Sequence, residues 1–115
     1  RYIVLQGSYH EVDHCSFIGK NKIGSCILVH WSNGSAAIPN YHKIHHNFFS
    51  ARRPENGIYD DQNDQDAIRI GDSNSSQTPS YTEIYNNLFE DWIGEIEIIS
   101  NKACNNKIYH NTFRN

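Results

Sequence analysis

The chain has 115 residues, a formal net charge of −3 with histidine neutral, and 37% hydrophobic residues. That length holds one domain at most, the acidic balance offers no basic footprint for nucleic acid, and no run of about eighteen apolar residues could form a membrane span. Fourteen asparagines and no methionine set the composition apart, and the apolar residues come in short alternating bursts, which argues for many short strands rather than disorder. The three cysteines, Cys15, Cys26 and Cys104, are an odd number with no CxxC pair, so they suggest neither a disulfide framework nor a zinc or redox motif.

In chain order, Arg1-Tyr2-Ile3-Val4-Leu5 is neither an initiator methionine nor a signal peptide, so a processed chain or a piece of a longer one is expected. The first repeat unit then runs Tyr9 to Phe17, through Val12-Asp13-His14-Cys15-Ser16-Phe17. Its frame is aliphatic, polar, His or Asn, Asn or Cys, any residue, Phe. The frame returns as Ile44-His45-His46-Asn47-Phe48-Phe49, Ile84-Tyr85-Asn86-Asn87-Leu88-Phe89 and Ile108-Tyr109-His110-Asn111-Thr112-Phe113. Successive units are offset by 32, 40 and 24 residues, a constant frame with variable spacing. Stacked coils with loops of unequal length satisfy that pattern.

The expected fold is therefore all-β, a right-handed parallel β-helix of about four coils. Val12, Ile44, Ile84 and Ile108 should stack inside, as should Phe17, Phe49, Phe89 and Phe113, with coils about 4.8 Å apart. Asn47, Asn87 and Asn111 should form one column whose amides hydrogen-bond along the stack, with Cys15 replacing Asn in the first coil. Each unit should lead to a second strand: Ile27 to His30, Ala67 to Gly71, and Glu95 to Ile99. Two excursions, Ser50 to Asp66 and Gly71 to Ser80, are long enough to wall a groove. Both stack ends would expose unpaired edges, so residues 1–115 read as a segment of a longer β-helix domain truncated at both ends.

The chemistry concentrates in Gly94-Glu95-Ile96-Glu97-Ile98-Ile99-Ser100-Asn101-Lys102. On a strand, Glu95 and Glu97 would share one face, with Ile96 and Ile98 on the other. Two carboxylates about 7 Å apart repel, which asks for a cation over them. Stacking this strand on Ala67 to Gly71 would put Arg69 beside Glu97, so a solvated face balanced by Arg69 competes with a metal site. Asp60 to Asp66 is acid-rich but lacks the glycine and terminal glutamate of an EF-hand. The histidines invite zinc, yet His14, His46 and His110 share one coil position with Asn86, which accounts for most of them. Trp31 and Trp92 could stack on sugar rings, although a lone tryptophan near a strand end more often packs.

These motifs resemble polysaccharide lyase family 6, which holds alginate lyases and the dermatan-sulfate-cleaving chondroitinase B. The resemblance runs from about Tyr9 to Asn115, and the wording Ile98-Ile99-Ser100-Asn101-Lys102 is nearer the alginate-lyase branch. It implies a calcium-assisted lyase acting on alginate by β-elimination. It further implies Asn63, Glu95 and Glu97 as calcium ligands and Lys102 as base. Arg69 either holds a substrate carboxylate or pairs with glutamate. Ala103 stands where alginate-lyase members usually carry serine. The family's acid arginine lies roughly twenty residues past the lysine, beyond Asn115, so this chain alone is expected to be inactive or nearly so. A hard cation with oxygen ligands suits the enolate charge that develops in the reaction, and a lysine base must act in its neutral form. The resemblance also implies a secreted or periplasmic protein. Competing functions are a non-catalytic β-helix that binds acidic polysaccharide, a dermatan sulfate lyase, or an inverting hydrolase, whose two carboxyl groups would straddle the substrate about 6.5–9.5 Å apart.

Overall fold

The computed structural model describes residues 1–30, 32–33, 36–37 and 39–115, with the side chains of 32–33 and 36–37 left aside. Its strands are β1 (Ile3–Leu5), β2 (Glu11–Asp13), β3 (Ser16–Ile18), β4 (Ile27–Val29), β5 (Ser32–Asn33), β6 (Ala36–Ala37), β7 (Lys43–His45), β8 (Phe48–Arg52), β9 (Ile68–Gly71), β10 (Glu83–Tyr85), β11 (Leu88–Trp92), β12 (Ile99–Lys102), β13 (Lys107–Tyr109) and β14 (Thr112–Arg114). One 3₁₀ turn, Ser73–Ser75, lies between β9 and β10. Three four-stranded sheets are ordered β1-β4-β9-β12, β2-β7-β10-β13 and β3-β8-β11-β14, and every pairing within them is parallel. The chain passes through the three sheets in turn and then repeats one level further on. This is the parallel β-helix. β5 and β6 form a small antiparallel pair beside it.

The repeat frame is the register. Val12, Ile44, Ile84 and Ile108 pair in one ladder, and Phe17, Phe49, Phe89 and Phe113 in another. The phenylalanine rings stack with centroids 4.8, 4.8 and 4.9 Å apart, which is the spacing of neighbouring strands. Alternation turns the frame residues inward, and Val12, Phe17, Ile44, Phe49, Ile84 and Phe89 are buried. The expected asparagine column also forms. Asn47 Nδ2 donates to Asn87 Oδ1 (3.1 Å) and to Val12 O (2.9 Å), and Asn87 Nδ2 donates to Asn111 Oδ1 (3.1 Å) and to Ile44 O (3.0 Å).

The residue before each rung of that column bends the chain out of one sheet and into the next. His14, His46, Asn86 and His110 sit there with φ of 54, 54, 55 and 54°. Asn and His tolerate the left-handed region better than most side chains, which explains why these two alternate at that position. A second left-handed column, Tyr9, Tyr41 and Tyr81, stacks its rings outside at 5.3 and 4.9 Å.

The third second-strand departs from expectation. Glu95 to Ile98 is not a strand, and β12 begins at Ile99, paired with Ile68. The reason lies in the loop 53–67 between β8 and β9. Asp60 N donates to Gly94 O (3.1 Å) and Ile96 N to Asp60 Oδ1 (3.2 Å), so the backbone of 94–96 bonds to that loop and not to a ladder. Ile96 is consequently 71% exposed instead of lying inside. Trp92 is buried edge-on to Phe49, with its Nε1 donating to Gln65 O (3.3 Å), so it packs and faces no ligand. Trp31 lies outside the described residues.

Candidate functional site

The sheet that carries β9 and β12, with the loops 53–67 and 93–98, surrounds a depression of about 250 Å³. Asp60, Asn63, Arg69, Glu95, Ile96, Glu97 and Lys102 line it. All five residues singled out from the sequence meet there, although they are spread over forty positions, two loops and two strands. Asp60 joins them.

Gly94 and Gln65 set the position of the glutamates. A Cβ on Gly94 would stand 2.7 Å from Gln65 O and 2.9 Å from Gln65 Cβ, so only glycine lets the two loops touch. Gln65 is fully buried; its Oε1 accepts from Arg52 Nη2 and Glu55 N (both 3.0 Å), and its Nε2 donates to Gln62 O (2.9 Å). Its own N–H donates to Glu95 Oε1 at 2.5 Å. Glu95 is thereby buried at 5% exposure while Glu97 stays exposed. The two carboxylates share the depression through a bend of the chain rather than the alternation of a strand.

Arg69 faces outward from β9 between buried Ile68 and Ile70. Its register partner is Ser100, and its guanidinium lies near Glu95, not Glu97. The three-residue shift in the register of β12 is the cause. Nε and Nη2 both reach Asp66 Oδ2 (2.9 and 2.8 Å), Nη1 lies 3.5 Å from Asp64, and Nη2 lies 3.9 Å from Glu95 Oε1. Burial pushes the Asp66 carboxyl up to about 6; Arg69 pulls it back and Glu95 adds to the rise. Burial would lower the Arg69 guanidinium, but Asp66, Asp64 and Glu95 hold it above its ordinary value. Asp66 Oδ1 is buried with no hydrogen-bond partner among the described residues.

Lys102 ends β12 opposite Gly71. Its carbonyl accepts from Ser75 Oγ (2.6 Å), in the 3₁₀ turn that Asp72 caps. Gly71 has φ +73°, and a Cβ there would stand 2.2 Å from Ser75 Oγ and 2.9 Å from Lys102 O. The backbone beneath the lysine is thus fixed by a glycine and a serine.

Asn63, Glu95, Glu97 and Asp60 supply amide and carboxylate oxygens only, the donor set a hard divalent cation prefers. By donor type these residues suit calcium. Arg52, Gln65 and Asp66 escaped the sequence reading. Of these only Asp66 carried a signal, an acid three residues before Arg69.

The family model described as Chondroitinase B matches residues 1–115. The chain shares 38% identity and a TM-score of 0.82 with a mannuronic acid specific polysaccharide family 6 lyase from human gut microbiota, over 96% of this chain and 23% of that one. With the PL6 family alginate lyase AlyGC it shares 35% identity and a TM-score of 0.85, over 96% of this chain and 14% of that one. No curated protein sequence matches significantly. The chain belongs to polysaccharide lyase family 6.

Proposed function

We propose that the protein is a calcium-assisted polysaccharide lyase that cleaves alginate by β-elimination. The observation that carries this is the meeting of Asn63, Glu95, Glu97, Arg69 and Lys102 around one depression. Asn63, Glu95 and Glu97 would hold the calcium ion, which when bound neutralises the uronate carboxylate as charge develops on it. Arg69, already committed to Asp66, presents its remaining guanidinium edge to the depression, where it orients the same carboxylate. Lys102, as the free amine, takes the C5 proton. The C5–H electrons would form the C4–C5 double bond as the C4–O bond breaks, and the departing oxygen would take its proton from water.

A uronate polymer is too large to enter a cell, which supports a secreted or periplasmic site of action. The solved relatives favour alginate; the description of the family model makes a glycosaminoglycan lyase the second reading. Mass spectrometry of products from the full-length protein separates the chemistries. Elimination leaves unsaturated oligosaccharides one water lighter than hydrolysis products. Saturated products, or intact alginate beside cleaved dermatan sulfate, would overturn the proposal.

A further inference from the structure

The outer face of the β2-β7-β10-β13 sheet carries a cluster that the lyase site does not use. Glu11 and Asp13 point outward together from β2, and His45 of β7 stands in register with Asp13. One ligand atom from each of Glu11, Asp13 and His45 lies within 4.8 Å of the other two. The same two columns hold Lys43, Glu83 and Lys107, and Tyr85 and Tyr109, in the remaining places, so the ligand types meet only in the first two coils.

His45 is not a loose surface histidine. It is about nine-tenths buried, with its ring stacked on Tyr85 at 4.7 Å and 5°. Nε2 is aimed at Glu11 Oε1, and Nδ1 lies 2.7 Å from His46 Nδ1. His14 Nδ1 meets Asp13 Oδ1 at 2.5 Å. Among the described residues, neither Glu11 nor Asp13 has a lysine or arginine within ion-pair distance. Two carboxylates therefore converge on one fixed imidazole with no permanent cation between them.

We propose that Glu11, Asp13 and His45 form a divalent transition-metal site, separate from the depression at Glu95. A metal would take His45 Nε2 and one oxygen from each carboxylate. His45 Nδ1–H would then donate to His46 Nδ1, the outer hydrogen bond that fixes a ligand tautomer, and His14 would brace Asp13 in the same way. One imidazole and two carboxylates suit zinc, cobalt or manganese better than calcium, which takes oxygen alone. Three protein ligands would leave the fourth position of zinc open.

Zinc is the probe. Calorimetric titration of ZnCl₂ into the full chain, with calcium saturating, should show one site. Glu11→Gln, an exposed change that leaves the core intact, should weaken zinc about tenfold or more, as should His45→Gln. Cys15→Ser should leave the affinity unchanged, as should the double variant Glu95→Gln, Glu97→Gln. Zinc anomalous scattering should peak about 2.0–2.1 Å from His45 Nε2. The proposal falls if zinc does not bind, if Glu11→Gln has no effect, or if Cys15→Ser or the Glu95/Glu97 double variant abolishes binding.

Discussion

Asn87→Ala tests whether the asparagine column holds the coils together. Asn87 is 2% exposed, and its amide joins three levels of the stack. Asn87 Oδ1 accepts from Asn47 N (3.0 Å) and Asn47 Nδ2 (3.1 Å), while Asn87 Nδ2 donates to Ile44 O (3.0 Å) and Asn111 Oδ1 (3.1 Å). Truncation strands the buried Asn47 N–H, which costs about 1–3 kcal/mol. The other contacts were exchanged for water in the unfolded chain and contribute about 1 kcal/mol each, not additively. Asn47 Nδ2 keeps Val12 O, and Asn111 Oδ1 keeps Asn87 N, which limits the damage. The expected loss is about 3 kcal/mol, a large part of a domain's usual 5–15 kcal/mol. Urea unfolding followed by circular dichroism should show a lower midpoint with an unchanged slope. Asn111→Ala, at the exposed end of the column, should cost less. A loss below about 0.5 kcal/mol for Asn87→Ala, or equal losses at both positions, would refute the reasoning, because water would then be satisfying the freed groups.

Other outcomes follow from single contacts. His42 is fully buried, its Nδ1 accepts from His10 N (3.0 Å), and burial, helped by His10, holds its pKa near 4 instead of 6.5. The unfolded chain therefore takes up this proton first: stability is complete above about pH 6.5 and falls by up to about 3 kcal/mol as pH drops toward 4. In His42→Gln, which can still accept from His10 N, thermal melts across that window should show a shallower decline. Gly71→Ala forces a Cβ into Ser75 and a side chain into the left-handed region, so it should destabilise by roughly 1–3 kcal/mol and displace Lys102. Adding Ser75→Ala should recover only part of this, because Lys102 O still stands 2.9 Å from the new Cβ. Arg69→Ala leaves Asp66 buried without its partner and should cost roughly 3–5 kcal/mol at neutral pH, read by urea unfolding.

The fold was legible because a parallel β-helix stacks like on like. Ile over Ile and Phe over Phe require the same residue in the same frame, so the offsets of 32, 40 and 24 became the strand registers unchanged. That Asn63, Arg69, Glu95, Glu97 and Lys102 lie close together was legible too, since they line one depression. Its internal geometry was not. Glu95-Ile96-Glu97-Ile98 has the alternation of a strand, yet Asp60 bonds to Gly94 O and Ile96 N, backbone groups that a ladder would have used. Loop-to-loop bonding of that kind leaves no periodic trace, so the three-residue register shift of β12 and the pairing of Arg69 with Asp66 emerged only in three dimensions.

In the proposed reaction Lys102 abstracts a proton from the uronate in an elimination. Ultraviolet absorbance of the unsaturated uronate, followed while the full-length protein acts on alginate with calcium present, tests it most directly. The wild type should produce steadily rising absorbance, and Lys102→Ala, folded and still binding alginate, should lose at least about a hundredfold in rate. Equal rates in both proteins would rule out Lys102 as the base, and cleavage of alginate with no rise in absorbance would rule out elimination.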